Sequence, residues 1–452
     1  MRGFGPFRLI AALAMMLLVA VQPAAAQSRL RDAETEALLN DMAAPLAKAA
    51  GLAPGNLQVV LLNDPEINAF VAGGQIVYIH SGLIEAADNA NEVQGVIAHE
   101  IGHIEGGHVI RYGEGARVAT GITLLSLLLG AAAIAAGAGD AGAGILAAGQ
   151  QAAMGKFLSF TRTQENSADA AGARYLGEAG ISGKGSLDFF KKLQNMEYRL
   201  AIPQENSYGR THPLSGERIA TLEGVYRASP AWNKPSDPAL EARFQRIKGK
   251  LEGYLQEPPQ TLRDYPETNK SVAARYARAY AWHRGAYPER AVQEVDSLIA
   301  TAPHDPYFLE LKGQVLLESG KPAEAIPPLR EAVARSNGSP LIATSLGHAL
   351  LATDDPANVP EAEKVLRAAV SRDRENPFAW YSLGTVYARK GDTARASLAT
   401  AERYDLQNEP RRALANAETA MAGIPQSSSD WLRAQDIAMV SRTAIEEEKR
   451  RR

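Results

Sequence analysis

Hydrophobic and polar residues follow one another along the first half of the chain in patterns that predict helices and two strands. Apolar positions recur at helical spacing from about Leu30 to Gly51. Two short runs rich in β-branched and aliphatic residues follow, from Gln58 to Asn63 and from Gln75 to His80. Runs of this kind next to glycine or Asp-Pro are typical of strands. Helical spacing returns over residues 91–110, which predicts a second helix.

A long uncharged stretch interrupts this pattern. The 22 residues from Val118 to Gly139 carry no charge, and small residues continue from Asp140 to Gly149. By length this segment is able to span a bilayer, but its glycine and alanine make it only moderately apolar. We favour a helical hairpin over residues 118–149 that covers the functional site or contacts a membrane surface. A transmembrane span and an ordinary buried core helix are the alternatives.

The first half of the chain is predicted to form one domain that ends in a linker. Helical spacing resumes over residues 156–200. Residues 229–238 are rich in proline, which is typical of a connecting segment. We therefore expect a domain over residues 27–228 and a linker over residues 229–270.

The second half of the chain is repetitive. The motif Trp380-x2-Leu383-Gly384-x2-Tyr387 matches the first helix of a tetratricopeptide repeat, and Ala396 supplies the small residue that the second helix needs. The same small-residue position recurs upstream in steps of 34, 34 and 37 residues, and a proline precedes three of these positions by seven residues. The positions are Ala279, Gly313, Gly347 and Gly384, with Pro306, Pro340 and Pro377. Four repeats predict an α-solenoid over residues 271–420 whose concave face holds a protein partner, followed by a helical tail over residues 421–452.

The first 26 residues resemble a secretory signal peptide. Arg2 and Arg8 form a positive region, Leu9 to Val21 an apolar region, and Ala24-Ala25-Ala26 a cleavage site. The mature chain is therefore expected to begin near Gln27, outside the cytoplasm. An uncleaved anchoring segment is the alternative.

The amino-acid composition excludes several kinds of functional site and partner. The chain has no cysteine, which excludes disulfides, a thiol nucleophile and cysteine ligands to a metal. With 48 basic and 51 acidic residues the net charge is close to neutral, so nucleic acid is not an expected partner. At 452 residues the chain exceeds what one core normally holds, which predicts two or three domains.

Residues His99-Glu100-Ile101-Gly102-His103 form a H-E-x-x-H pentad. On a helix the two histidines lie one turn apart on the same face, where both imidazoles reach one Zn²⁺ ion. Glu100 then projects beside the metal as a general base. This is the arrangement of a zinc peptidase.

A catalytic zinc ion needs a third protein ligand, and two candidates follow the pentad. His108 lies one residue short of the position that the extended motif H-E-x-x-H-x-x-G-x-x-H requires, which makes it the weaker candidate. Glu165 stands in the segment Glu165-x-x-Ala168-Asp169 on a later helix and is the stronger candidate. Asp169, one turn further on, is placed to hydrogen-bond the free ring nitrogen of a ligating histidine.

Four segments together resemble one known family. They are the pentad, the Glu165-x-x-Ala168-Asp169 segment, residues 68–78 with Asn68-Ala69-Phe70 and Gly73-Gly74-Gln75, and the segment Thr211-His212-Pro213-x4-Glu217-Arg218-Ile219. The set is similar to the HtpX and CAAX prenyl endopeptidase family of zinc metallopeptidases. The resemblance implies an α+β, mostly α fold, in which a zincin-like metallopeptidase domain with a small β-sheet precedes the α-solenoid.

The resemblance also implies roles for individual residues. His99, His103 and Glu165 would bind one Zn²⁺ ion per chain, Glu100 would activate water, and Asp169 would support a ligand. His212 would aid the oxyanion or occupy the open coordination position at rest, and Arg218 would support its loop; from the sequence alone, His212 is equally compatible with a surface turn. The strand that contains Gln75, Ile76, Val77 and Tyr78 would be the edge strand to which a substrate adds.

With a leader and C-terminal repeats, the resemblance implies a periplasmic endopeptidase that removes misfolded or stalled outer-membrane proteins and assists their assembly. The tetratricopeptide repeats would dock onto the outer-membrane assembly machinery, and residues 118–149 would provide a peripheral membrane contact. Two alternatives remain: a client-binding chaperone or adaptor whose protease is normally autoinhibited, and an integral membrane quality-control protease.

Overall fold

The computed structural model describes residues 28–135, 139–200, 212 and 216–451. Over these residues the chain is mostly helical, with one small mixed sheet near its start and a long series of paired helices in its second half. The predicted fold class is therefore confirmed. The predicted signal peptide lies outside the described residues.

The four strands are β1 (Ser28–Leu30), β2 (Gln58–Asn63), β3 (Ala69–Val71) and β4 (Ile76–His80). The helices of the first half are α1 (Ala33–Ala49), α2 (Ser81–Ala86), α3 (Ala90–Glu105), α4 (His108–Ala135), α5 (Gly139–Glu178), α6 (Lys184–Leu200), α7 (Gly216–Ala228), α8 (Pro238–Leu255) and α9 (Pro258–Asp264). Those of the second half are α10 (Val272–Arg284), α11 (Pro288–Thr301), α12 (Pro306–Glu318), α13 (Pro322–Arg335), α14 (Pro340–Ala352), α15 (Val359–Arg372), α16 (Pro377–Arg389), α17 (Thr393–Leu406), α18 (Pro410–Gly423) and α19 (Ser429–Arg451).

The sheet corrects one prediction. Its strand order is β1-β2-β4-β3, with β4 parallel to β2 and antiparallel to β3. Residues Ile76, Val77 and Tyr78 therefore lie in a central strand paired on both sides, and Gln75 precedes it. The edge strand on this side is β3, which has only three residues. Three residues are too few to show an alternation of apolar and polar positions. The apolar run of β4 is easily recognised in the sequence because a central strand is buried.

Helix α3 lies at the centre of the first half. Fourteen of its residues are buried, from Ala90 to His103, against α1, β3, β4, α5, α6 and α8. Asn89 caps its start, since the side chain accepts a hydrogen bond from the Glu92 amide at 3.1 Å. The surrounding core includes fully buried Tyr175, Phe189 and Phe190. The helix that carries the pentad is thus held on all sides by apolar packing.

The segment from residue 229 to 270 is not the linker that its prolines predicted. Pro238 is instead the first residue of α8, where a missing amide costs nothing, and Asp237 caps the helix. Phe244, Ile247 and Leu251 of α8 are buried in the same core as α3. The remaining domain limits inferred from the sequence stay predictions.

A buried ionic cluster joins the first half of the chain to the repeats. Lys250 of α8 binds Asp32 and Glu34, with its Nζ 3.3 Å from Glu34 Oε2. Tyr276 of the first repeat helix donates a hydrogen bond of 2.7 Å to the same Glu34 oxygen. Arg246 forms a two-pronged ion pair of 2.7 and 2.9 Å with Asp305. Because removing one partner would leave a buried charge unpaired, this cluster fixes the repeats against the first half.

Helices α10 to α17 form the four antiparallel pairs that the recurring small-residue positions predicted. Pro306, Pro340 and Pro377 each begin a helix, as inferred from their spacing. At Gly313 an added Cβ would lie 2.3 Å from Leu329 of the next helix, and at Gly347 it would lie 2.5 Å from Leu366. The recurring small residues are therefore contact points between the two helices of a repeat.

Helices α4 and α5 form the predicted hairpin. They pack against each other, and an added Cβ at Gly149 would meet Ser126 at 2.0 Å. Within the described residues, the window Ala116–Ala133 is the one that is long and apolar enough to cross a membrane, and only 6% of it is buried. Leu128 is 71% exposed. This exposure excludes the alternative of an ordinary buried core helix.

Close packing of α3 on α5 leads to a testable prediction. An added Cβ at Gly102 would lie 2.6 Å from the backbone oxygen of Ala168, so we expect Gly102→Ala to force the helices apart. The free energy of unfolding should fall by about 1–3 kcal/mol in chemical denaturation.

The matched control is Gly155→Ala, also in a helix, where an added Cβ meets nothing within 4 Å. It should be neutral or stabilise the chain by up to about 1 kcal/mol, since alanine favours helix. Equal effects of the two substitutions would argue against the close contact.

Candidate metal centre

Two packed helices and one further segment bring the candidate ligands together. Helix α3 presents His99 and His103 one turn apart, and α5 presents Glu165 from the opposite side. His212 comes from the segment between α6 and α7. All four side chains are buried, and one ligand atom from each lies within 4.8 Å of the others.

The distances describe a tight cluster of nitrogen and oxygen atoms. His99 Nε2 and His103 Nε2 are 3.1 Å apart. Each is 3.4 Å from one carboxylate oxygen of Glu165. His212 Nδ1 lies 3.2 Å from both Glu165 oxygens and 3.3 Å from His99 Nε2. Ring nitrogens that face one another this closely require a proton or a cation between them.

This donor set fits a zinc ion. Two imidazoles and one carboxylate are the ligands of a catalytic zinc site, and a fourth position stays open for water or substrate. His212 lies beside these three side chains and offers a further imidazole nitrogen. Burial lowers the pKa of His99, but the hydrogen bonds that its ring donates to the Asp169 and Glu165 carboxylates raise it to about 10. The cluster therefore favours a positive charge at its centre.

Asp169 and Arg218 support the ligands from behind. Asp169 Oδ1 lies 2.9 Å from His99 Nδ1, the ring nitrogen that points away from the cluster. Arg218 donates to Asp169 at 2.8 and 2.9 Å, and its Nη2 is also 3.2 Å from Glu165 Oε2. Burial works against ionisation of Asp169, but His99 and Arg218 hold its pKa below the usual value. Such a carboxylate fixes the ring orientation of a ligating histidine.

Glu100 is the buried carboxylate beside the cluster. The residue is 0% exposed, and neither oxygen accepts a hydrogen bond from any residue that the structure describes. His212 Nε2 lies 3.5 Å from Oε1. A buried carboxylate without a hydrogen bond is costly. Its presence indicates a partner such as a water molecule or a substrate.

His108 has a place in the site that its spacing did not predict. Its Nδ1 lies 2.9 Å from His103 Nδ1, on the side of that ring away from the cluster. Burial and the neighbouring His103 lower the pKa of His108 to about 4, so its ring is neutral and able to orient His103. Helix α3 ends at Glu105 and α4 begins at His108, and this break returns the side chain to the site. The Gly106-Gly107 pair was the signal in the sequence.

The edge strand β3 borders the cluster. His212 Nε2 lies 3.3 Å from the backbone oxygen of Ala69, the first residue of β3. Phe70 stacks on Tyr78 of the central strand with ring centroids 5.1 Å apart. The strand segment next to the site is therefore Ala69–Val71 and not Gln75 to Tyr78.

A helix-borne H-E-x-x-H pentad, a carboxylate from a second helix and a bordering edge strand define a metallopeptidase. Comparison with known proteins agrees. The sequence profile of peptidase family M48 matches residues 29–226, and a tetratricopeptide-repeat profile matches residues 287–340 and 346–413. The chain belongs to peptidase family M48, as the resemblance of its motifs predicted.

Three curated relatives show how far the similarity extends. A beta-barrel assembly-enhancing protease of Yersinia pestis is 27% identical over 82% of this chain and 76% of its own length. That of Escherichia coli is 25% identical over 86% of this chain and 79% of its own length. A protease HtpX homolog of Pelotomaculum thermopropionicum is 32% identical over 41% of this chain and 69% of its own length. The first two matches cover too much of this chain to be confined to the peptidase region.

Proposed function

We propose that this protein is a zinc-dependent endopeptidase of the periplasm that hydrolyses peptide bonds in misfolded or stalled outer-membrane proteins. The observation that carries the peptidase assignment is the buried convergence of His99, His103 and Glu165 beside a carboxylate, Glu100, that accepts no hydrogen bond from the described part of the chain. Membership of family M48 supports the same activity.

The side chains have complementary tasks in this proposal. His99, His103 and Glu165 hold the ion. When bound, zinc supplies Lewis-acid polarisation at the scissile carbonyl. Glu100 takes a proton from the attacking water and passes it to the leaving amine. Asp169 and Arg218 keep His99 and Glu165 in position, which lowers the cost of organising the site.

The short edge strand determines what kind of substrate fits. Among the strands that the structure describes, β3 pairs with β4 on one side only, and we propose that a substrate strand adds on its other side. A polypeptide binds there by backbone hydrogen bonds if it is extended. Folded domains cannot present such a segment, whereas misfolded or stalled chains do. The geometry thus favours unfolded clients with little demand on their sequence.

His212 acts as a gate in this proposal. Its Nδ1 is within 3.3 Å of both His99 and Glu165, so it would take the fourth ligand position when the ion is bound. Its Nε2 is at the same time 3.5 Å from Glu100 Oε1 and 3.3 Å from the Ala69 carbonyl oxygen. One imidazole therefore contacts the ligands, the base and the edge strand. A substrate on β3 has to displace it, which ties cleavage to the arrival of a client.

The relatives named beta-barrel assembly-enhancing proteases support the choice of outer-membrane proteins as clients. The tetratricopeptide repeats are the proposed contact with the assembly machinery, and the exposed leucines of α4 the proposed peripheral membrane contact. Export through the predicted signal peptide at residues 1–26 would place the protein in the periplasm. A resting site closed by His212 also favours a second role, in which repeats and edge strand assist assembly of clients that are not cleaved.

The first prediction from the proposed function concerns Glu100. Glu100→Gln keeps the size of the side chain but removes the proton acceptor, so hydrolysis of an unfolded substrate should fall by roughly 10²- to 10⁴-fold. Zinc content should stay at the wild-type value, because Glu100 is not among the proposed ligands. The exposed carboxylate variant Glu178→Gln is the control and should keep full activity. Cleavage by Glu100→Gln at the wild-type rate would contradict the assignment of Glu100 as the general base.

The second prediction concerns His212. His212→Ala opens the fourth position and leaves three protein ligands, so cleavage of a short extended peptide should rise several-fold while zinc content is unchanged. The peptidase rate and the metal content of the same sample are the measurements. If activity instead drops to the level of Glu100→Gln, His212 is required for catalysis and is not a gate.

A further inference from the structure

A second group of metal-ligating side chains lies outside the catalytic cluster. Asp64 and Glu66 follow strand β2, and His80 is the last residue of β4, which runs parallel to β2. One ligand atom from each of the three lies within 4.8 Å of the others. The carboxyl ends of two parallel strands therefore bring two carboxylates and one imidazole to the same edge of the sheet.

His80 is the unusual member of this group. Its side chain is buried, with the residue only 1% exposed, and neither ring nitrogen makes a hydrogen bond to any residue that the structure describes. Nδ1 points to Asp64 Oδ1 across 3.5 Å, which is longer than an N–H···O hydrogen bond. A buried imidazole without a hydrogen bond is uncommon and requires an explanation. A cation between His80 and Asp64 would provide it.

The loop that carries the carboxylates is held in place by its own contacts. The Asp64 side chain accepts a hydrogen bond of 2.8 Å from the Glu66 amide. Ser81 Oγ donates to the Asp64 carbonyl oxygen at 2.9 Å, and the Gly82 amide donates to the same oxygen at 2.9 Å. An added Cβ at Gly82 would lie 2.1 Å from the Pro65 carbonyl oxygen, so this close approach requires glycine. The group is thus preorganised before any ligand binds.

We propose that Asp64, Glu66 and His80 bind a second divalent transition-metal ion, for which Zn²⁺ is the probe. An imidazole nitrogen favours zinc or a similar metal over Ca²⁺ and Mg²⁺, which prefer oxygen ligands alone. Three protein ligands leave room for water to complete the coordination. None of these residues belongs to the catalytic cluster, whose ligands come from α3, α5 and the segment before α7.

The position of this site gives it a structural task. Residues 64–68 connect β2 to the edge strand β3, and the Asn68 carbonyl oxygen accepts a hydrogen bond of 3.0 Å from the His80 amide. A cation on Asp64, Glu66 and His80 would fix the start of the edge strand on which a substrate is proposed to add. Its loss should raise KM for an extended peptide and leave kcat nearly unchanged.

The test is the zinc content of the full mature chain after saturation with Zn²⁺ and gel filtration. We expect two zinc ions per wild-type chain and one zinc ion per chain in Glu66→Gln and in Asp64→Asn. The asparagine of Asp64→Asn keeps a side-chain oxygen that can accept the hydrogen bond from the Glu66 amide. The control Glu178→Gln should retain two. One zinc in the wild-type chain, or two in both variants, would overturn the proposal.

Two further measurements separate this site from the catalytic one and from a simple ion pair. His103→Gln should lose the catalytic zinc ion and keep the second zinc ion. Zinc binding at the two sites is therefore tested separately. Zn²⁺ should raise the unfolding temperature of His103→Gln and have more than about tenfold weaker apparent affinity in His103→Gln/Glu66→Gln. If His80 is instead a protonated partner of Asp64, Zn²⁺ will not shift the unfolding temperature of His103→Gln, and the proposal fails.

Discussion

The close approach of helices α3 and α5 is the constraint on which the site depends. Each helix contributes a glycine at the contact, since an added Cβ at Gly102 would meet Ala168 and one at Gly172 would meet the backbone at Ala98 and His99. This contact places the pentad opposite Glu165 and Asp169. A wider separation would leave two histidines on one helix and two carboxylates on another with no shared ion. Backbone packing therefore sets the ligand geometry before any electrostatic interaction acts.

Electrostatic interactions then refine that geometry. A chain of contacts runs from Arg218 through Asp169 to His99, while Arg218 also contacts Glu165. The guanidinium lies between two buried carboxylates that would otherwise repel each other. Burial works against ionisation of Glu165, but His212, His103 and His99 hold its pKa well below the usual value. Removing any member leaves a buried charge unpaired, which is costly. The same side chains that hold the ion are therefore also part of the fold.

The sequence predicted the metal site of the pentad and Glu165, and the helix pairs of the repeats. Each prediction rests on residue spacing within a single helix or on a fixed repeat length. The edge strand was assigned wrongly since strand order depends on pairing between distant residues, and β3 is too short to show a pattern. Residues 229–270 are predicted to be a linker because, in sequence, prolines at helix starts resemble prolines in loops. In the structure, burial of Phe244 shows that this segment is part of the core. The Gly106-Gly107 pair marks the break that returns His108 to the site. The group around His80 depends on the pairing of β2 with β4, which no local pattern predicts.

The central claim is that His99, His103 and Glu165 together bind one catalytic zinc ion. Anomalous diffraction at the zinc absorption edge, from crystals of the zinc-loaded mature chain, tests it most directly. The account predicts an anomalous peak bounded by these three side chains, and its disappearance in crystals of Glu165→Ala. Absence of a peak there in the wild-type chain, or an unchanged peak in Glu165→Ala, would contradict it.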